Sequence, residues 1–199
     1  MNPHLQSTSY TTAAASLLNI LHYLNPEIHL TKEKEFHIWH STTNLPTRAS
    51  SIYALALYAQ QHHNITPKII VEKKQYDFPD YRFYRYTKED IEHAAFSSNN
   101  HMKKAEKTIQ IEEKTINFND IKELLNNNIL LLRLNTKPIR NEKRNTSNYI
   151  AILEYSNNQF KIIDPKIGKL DISHEILKES FESLETKKYR DHRTIIFKK

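Results

Sequence analysis

A single glycine, Gly168, is the feature that most restricts what this chain can fold into. Average glycine usage near 7% would give about 14 glycines in a chain of this length. Dinucleotide-binding loops and phosphate-binding P-loops each need several glycines in one turn, because their backbone amides must approach a phosphate closely. The sequence therefore excludes both kinds of nucleotide-binding loop.

The chain also contains no cysteine, which excludes a disulfide framework, a thiolate zinc site, an iron–sulfur cluster and a thiol nucleophile. Its 199 residues, 38% of them apolar, suit a single domain over residues 1–199 with a packed core. No apolar run is long enough to cross a bilayer, and the first residues lack the pattern of a signal peptide. We therefore expect a cytoplasmic protein that does not enter a membrane.

The net charge of +6 arises after residue 65 and is highest at residues 137–144 and 187–199. A basic nucleic-acid-binding module is one interpretation, and the alternation of rings with guanidinium groups at residues 81–86 suits base stacking. Basic surface loops and an edge strand explain the same features more simply. Nucleic-acid binding is therefore kept as an alternative.

Apolar periodicity predicts helices first and strands mostly later, which is typical of an α+β domain. The predicted helices lie at residues 12–24, 31–39, 47–62, 87–107, 119–127 and 173–184. The predicted strands lie at residues 66–71, 81–86, 129–134, 148–155, 159–163 and 194–197. The pair 148–155 and 159–163 is expected to form a hairpin.

The segment from Gln6 to Leu18 resembles the opening of the C39-like branch of papain-fold cysteine peptidases. In that branch a Gln is followed, after five residues, by Cys-Gly-Pro-Ala at the start of a long helix. Four further segments resemble the branch in the same order: a Trp-containing second helix, an Ala-rich third helix, a Pro-His-Trp-Val-Val-Val strand and an Asp-Pro turn. They are residues 36–43, 50–59, 147–152 and 163–165.

The resemblance covers most of residues 3–197 and implies an α+β, papain-like (C39-like) fold with N-terminal helices packed on an antiparallel β-sheet. By position, Gln6 corresponds to the family's oxyanion-binding Gln, and Thr12 corresponds to its nucleophilic Cys. Asn148 corresponds to the basic His, and Asp164 to the acid that orients it. In that mechanism the helix N-terminus favours the thiolate, the His moves the proton and the Gln donates to the oxyanion.

Both reactive groups of the resembling family are replaced in this chain. The alcohol of Thr12 stays protonated in neutral water, and the amide of Asn148 cannot accept and return a proton. Loss of one essential triad member costs roughly 10⁶ in turnover in a worked protease example. The resemblance therefore implies a catalytically inactive member whose cleft, formed by Gln6, Thr12, Trp39, Asn148 and Tyr149, binds a peptide or protein partner.

Other interpretations of these residues stay open. In a hydrolase or acyltransferase, Thr12 would be the nucleophile and an unassigned residue such as His4 would be its base. Alternatively, Thr12 is the N-cap residue of the helix, and its hydroxyl binds a free backbone amide. Gln6 is equally explained as a backbone-bonding side chain, and Asp164 as the start of an Asp-Pro turn.

The histidines give no metal-binding pattern. His37 and His40 lie three residues apart on a predicted helix, and His62-His63 ends another. A metal site needs three or four converging ligands with supporting partners, and no such spacing is visible. We therefore expect no metal and no cofactor.

Overall fold

A computed structural model describes residues 2–75, 86–184 and 190–199 of the chain. Within these ranges it has seven helices and one seven-stranded sheet. The helices are α1 (Thr12–Leu24), α2 (Lys32–Thr42), α3 (Ile52–His63), α4 (Lys88–Ala105), α5 (Phe118–Leu124), α6 (Lys137–Arg140) and α7 (His174–Glu182). The strands are β1 (Lys68–Val71), β2 (Gln110–Glu113), β3 (Asn128–Asn135), β4 (Ser147–Ser156), β5 (Gln159–Asp164), β6 (Gly168–Ser173) and β7 (Arg193–Lys198). Apart from Tyr86, the strand predicted at residues 81–86 lies outside the described residues.

The first three helices form as the sequence predicts, with one boundary moved. The hydroxyl of Thr31 accepts from the backbone N–H of Lys34 and caps α2. Helix α3 begins at Ile52 rather than near residue 47, because Ser51 caps it. Residues 43–50 instead form a loop closed by an antiparallel bridge between Thr43 and Ser50.

The strands follow the order β2-β1-β7-β3-β4-β5-β6, and the expected antiparallel sheet is therefore only partly correct. Strands β1 and β2 pair in parallel, and α4 lies in the connection between them, since parallel neighbours need a crossover. All other neighbours are antiparallel. The predictions omitted β2 and β6, which are short edge strands rich in charged residues and so lack a strong apolar pattern.

The sheet separates two apolar cores. On one face, α1, α2 and α3 pack through residues such as Leu17 against Leu131 and Ala151 of the sheet. On the other face, α5 and α7 pack through residues such as Phe181 against Leu132 and Ile150. These are called the α1 face and the α7 face below. Among the described residues, none of the helices is both long and apolar enough to span a membrane.

Asparagine occupies most of the positions with a positive φ angle, a backbone conformation that usually favours glycine. Gly168 has φ +99°, in the region that favours glycine. The remaining positive φ angles in the described part of the chain fall on Asn64, Asn127, Asn141, Asn157 and Asn158. Asn tolerates the left-handed conformation because its short polar side chain bonds locally. The scarcity of glycine therefore does not prevent tight turns.

Candidate functional site

The side chains of Gln6 and Thr12 hydrogen-bond to each other at the start of α1. The buried hydroxyl of Thr12 donates to Oε1 of Gln6 at 3.0 Å, and Nε2 of Gln6 donates to the carbonyl of Thr8 at 2.9 Å. Thr11, not Thr12, is the N-cap residue of α1. The N-cap interpretation of Thr12 is therefore wrong, because its hydroxyl binds a side chain instead of a free amide.

Asp164 and Asn148 meet at Arg140, a residue that the sequence analysis did not select. The guanidinium of Arg140 donates from Nε and Nη2 to the two carboxylate oxygens of Asp164, at 2.7 and 2.9 Å. Asp164 is fully buried and also accepts from the backbone N–H of Lys166 at 2.7 Å. The side-chain amide of Asn148 is oriented so that its nitrogen donates to the carbonyl of Ser147 at 3.1 Å. Its oxygen then accepts from Nη1 of Arg140 at 3.2 Å. One guanidinium therefore binds both side chains.

Strand register separates this cluster from Thr12. Asn148 lies opposite Leu134, and Leu134 belongs to the core of the α7 face. Tyr149, the next residue, packs instead against the core of the α1 face, where its carbonyl accepts from the hydroxyl of Ser16 at 2.7 Å. Because side chains alternate along a strand, Asn148 lies on the α7 face, whereas Thr12 belongs to a helix of the α1 face.

The same alternation applies to Asp164. Ile163 packs in the core of the α1 face, so Asp164 lies on the α7 face beside Arg140. A backbone hydrogen bond links the two regions, because the N–H of Gln6 donates at 2.7 Å to the carbonyl of Pro165, the residue after Asp164. The structure thus brings Gln6 to Thr12 and Asn148 to Asp164, but not Thr12 to Asn148.

A protein-family model described as "Peptidase_C39 like family" matches residues 3–186. The chain belongs to this C39-like family. The resemblance that its sequence shows is therefore confirmed, and the α+β architecture is consistent with a C39-like fold. No curated protein matches the chain significantly.

The two remaining residues of the expected C39-like cleft have different surroundings. Trp39 is partly exposed on α2, with its ring centroid 5.0 Å from that of Tyr10. Tyr149 is also partly exposed and packs against the core of the α1 face. Burial of its phenol raises its pKa, although Arg193 beside it favours the phenolate. Trp39 therefore lies beside Tyr10, which precedes α1, whereas Tyr149 lies on β4 against α1.

A buried carboxylate, Glu35 of α2, fixes the segment that carries Gln6. Its oxygens accept from the backbone N–H of Ser7 at 2.8 Å, from the hydroxyl of Ser7 at 2.5 Å and from Nε2 of His4 at 2.8 Å. Burial acts to raise the pKa of Glu35, but hydrogen bonds from Ser7, Thr11 and His4 outweigh it and lower that pKa. Sequence reasoning missed this residue because an acid in the first turn of a helix usually faces solvent.

His4 and His37 have hydrogen-bond partners other than Thr12 in the described structure. His4, the histidine nearest to Thr12 in the sequence, binds Glu35, and the partner of the Thr12 hydroxyl in the described structure is Gln6. His37 is hydrogen-bonded through Nδ1 to the hydroxyl of Tyr58 at 2.8 Å. Across the described ranges, His, Asp and Glu side chains form no group of three or more able to hold a metal ion.

Proposed function

We propose that this C39-like chain is catalytically inactive and binds a peptide or protein partner. The observation that carries this proposal is the division of the family-equivalent side chains between the two faces of the sheet. Gln6 and Thr12 lie with α1, whereas Asn148 and Asp164 lie with Arg140 on the α7 face. A nucleophile and the group that takes its proton must be within hydrogen-bond reach, and this arrangement places no proton acceptor from β4 beside Thr12.

Hydrogen bonding within each group also opposes catalysis. Arg140 occupies both oxygens of Asp164, so this acid is not available to orient a base. The amide oxygen of Gln6 accepts from Thr12, which ties the alcohol to a group that is too weakly basic to remove its proton. Binding of an extended peptide needs surface shape and polar partners but no nucleophile, so it does not depend on these changes.

The first test of the proposal is turnover. Incubation with a pool of internally quenched fluorogenic peptides is expected to give no release of fluorescence above that of Thr12→Ala. The alanine variant removes the hydroxyl, and Gln6 remains accessible to solvent for its hydrogen bonding. Turnover that disappears in Thr12→Ala would contradict the proposal and favour the hydrolase or acyltransferase with Thr12 as nucleophile.

A second test restores the missing groups. In Thr12→Cys combined with Asn148→His, we expect the alkylation rate of the thiol to follow the same pH profile as in Thr12→Cys alone. An imidazole on the α7 face cannot form an ion pair with a thiolate at the start of α1. Alkylation by iodoacetamide across pH 5–9, about the range in which thiols titrate, measures this profile. A shift of the profile to lower pH on adding the His would show that the two side chains meet.

The binding half of the proposal has its own measurement. An array of peptides with randomised sequence is expected to retain the fluorescently labelled protein at a subset of sequences. The same subset should be retained by Thr12→Ala, because Thr12 is buried and contributes little to the surface. Retention no greater than that of the heat-unfolded protein would remove the binding role.

A further inference from the structure

A group of partly exposed aromatic rings and one exposed guanidinium lies beside the start of α1. We call it the aromatic patch, and it consists of Tyr10, Phe36, Trp39 and Arg48. The ring centroid of Trp39 is 5.0 Å from that of Tyr10 and 6.2 Å from that of Phe36. The guanidinium of Arg48 lies 5.0 Å from the Tyr10 centroid. Trp, Tyr and Arg are the residue types that most often dominate the binding energy of protein interfaces.

The loop that carries Arg48 is held in place by its own hydrogen bonds. The backbone N–H of Asn44 donates to the carbonyl of Ala49 at 2.8 Å, and the buried hydroxyl of Thr47 donates to the carbonyl of Asn44 at 2.6 Å. The indole N–H of Trp39 donates to the carbonyl of Arg48 at 3.3 Å. A binding surface that is already ordered loses less conformational entropy when a partner docks.

Two cations lie near the rings of the aromatic patch. The ammonium of Lys32 lies 5.8 Å from the Phe36 centroid, and the sequence contains no Asp or Glu from residue 36 to residue 71. Glu35 is fully buried under the N-terminal segment. Glu33 lines a separate cavity of about 260 Å³ with His37 and other residues of the first three helices. A partner with carboxylates would therefore meet two cations at the patch.

The patch also presents apolar surface. Leu45, in the loop that carries Arg48, has 66% of its surface exposed, and the three rings of the patch are partly exposed. Exposed apolar surface is typical of interaction sites. The partner segment should therefore combine acidic residues with an aliphatic or aromatic one.

We propose that the aromatic patch binds an acidic segment of a partner protein in which carboxylates flank an aliphatic or aromatic residue. The inference rests on the proposed function and specifies the chemistry of the partner. The carboxylates pair with Arg48 and Lys32, while the apolar residue packs against the rings. A basic nucleic-acid module is the other interpretation of the charge, and the apolar contact favours a peptide over it.

Three fluorescein-labelled hexapeptides test this inference, and they differ only in the flanks of a central Leu-Phe pair. The flanks are Asp-Glu and Glu-Asp in the acidic peptide, Ser-Gln and Gln-Ser in the neutral one, and Lys-Arg and Arg-Lys in the basic one. In fluorescence anisotropy we expect the acidic peptide to bind at least about tenfold more tightly than the neutral one, and the basic peptide not to bind. Trp39 is the only tryptophan, so a change in its emission locates the contact.

Charge-removing variants locate the interaction. Arg48→Gln and Lys32→Gln should each weaken binding of the acidic peptide several-fold. Arg48→Gln should weaken it more, because the Arg48 guanidinium lies 5.0 Å from the Tyr10 centroid and the carbonyl of the same residue holds the indole N–H of Trp39. Lys103→Gln, an equal charge change at an exposed position of α4, should leave the affinity unchanged. Raising the salt concentration from roughly 50 to roughly 300 mM should weaken the acidic complex, since exposed charges are screened.

Each contrary result overturns the inference in a distinguishable way. Equal binding of the acidic and neutral peptides, with Trp39 responding, would remove the acidic preference and leave the binding role intact. No binding of any peptide would remove the inference, while the randomised array decides the proposed function separately. Binding of a labelled oligothymidylate that is lost in Arg48→Gln, without binding of the acidic peptide, would assign the patch to nucleic acid.

Discussion

Glu35→Ala is expected to lower the free energy of unfolding by about 3 kcal/mol, a large share of the total for a domain of this size. Glu35 is fully buried and receives hydrogen bonds from Ser7 and His4. Removing the carboxylate leaves the donor groups of Ser7 and His4 without their acceptor. Hydrogen bonds to a charged group contribute about 1.5–3 kcal/mol each. Urea unfolding followed by far-ultraviolet circular dichroism measures the loss.

The same carboxylate gives the prediction a pH dependence. The folded-state pKa of Glu35 is lowered, so its contribution is fully present above the unfolded-state pKa of about 4.3. The contribution is lost as the pH falls through the lower folded-state pKa. The difference in unfolding free energy between the wild type and Glu35→Gln should therefore be constant near neutrality and shrink below about pH 4.

Glu92→Gln is the matched control, because Glu92 lies on α4 with 65% of its side chain exposed. Its effect should be within about 0.5 kcal/mol, as is usual for exposed substitutions. A loss from Glu35→Ala as small as that of Glu92→Gln would mean that Glu35 does not hold the N-terminal segment in the folded protein.

Arg140→Met is expected to destabilise the fold by about 3–5 kcal/mol, because it leaves the carboxylate of Asp164 buried without its cation. Asp164 is fully buried and the Arg140 side chain is 5% exposed, so water cannot replace the lost partner. Combining Arg140→Met with Asp164→Asn should recover most of the loss, since the neutral amide still accepts from the backbone N–H of Lys166. Chemical denaturation of the single and double variants forms a double-mutant cycle.

Lys166→Met supplies the control for this pair, because the same loss of a cation occurs two residues from Asp164. Lys166 pairs with Glu142 at 2.6 Å, but 52% of its side chain is exposed, and exposed ion pairs contribute less than about 1 kcal/mol. If Arg140→Met were no more destabilising than Lys166→Met, the pair of Arg140 with Asp164 would not be a structural element of the fold.

The sequence was sufficient to predict the helices of the α1 face, because their apolar residues recur with helical spacing. It was also sufficient for family membership, which rests on motif order rather than on any single residue. It did not predict which face of the sheet Asn148 takes. The apolar run from Tyr149 to Leu153 shows no alternation of polar and apolar residues, so only the pairing of Asn148 with Leu134 decides the face.

Arg140 and Glu35 escaped prediction for related reasons. Arg140 ends a four-residue helix, which is too short to give a periodic pattern, and an Arg is seldom buried. Glu35 is buried because residues far from it in the sequence, His4 and Ser7, fold across α2. Both side chains are placed by contacts between distant segments, and no local pattern encodes such contacts.

The position of β7 in the sheet has a consequence for how the chain folds. This strand lies between β1 and β3, where Thr194 pairs with Ile70 on one side and Leu132 on the other. The run β3-β4-β5-β6 needs only short-range pairing and can form early, whereas β1 and β2 join it through β7 alone. Contacts of such large sequence separation slow folding, because loop-closure entropy is lost before they form. Hydrogen exchange during refolding should therefore protect the amides of β4 and β5 before those of β1.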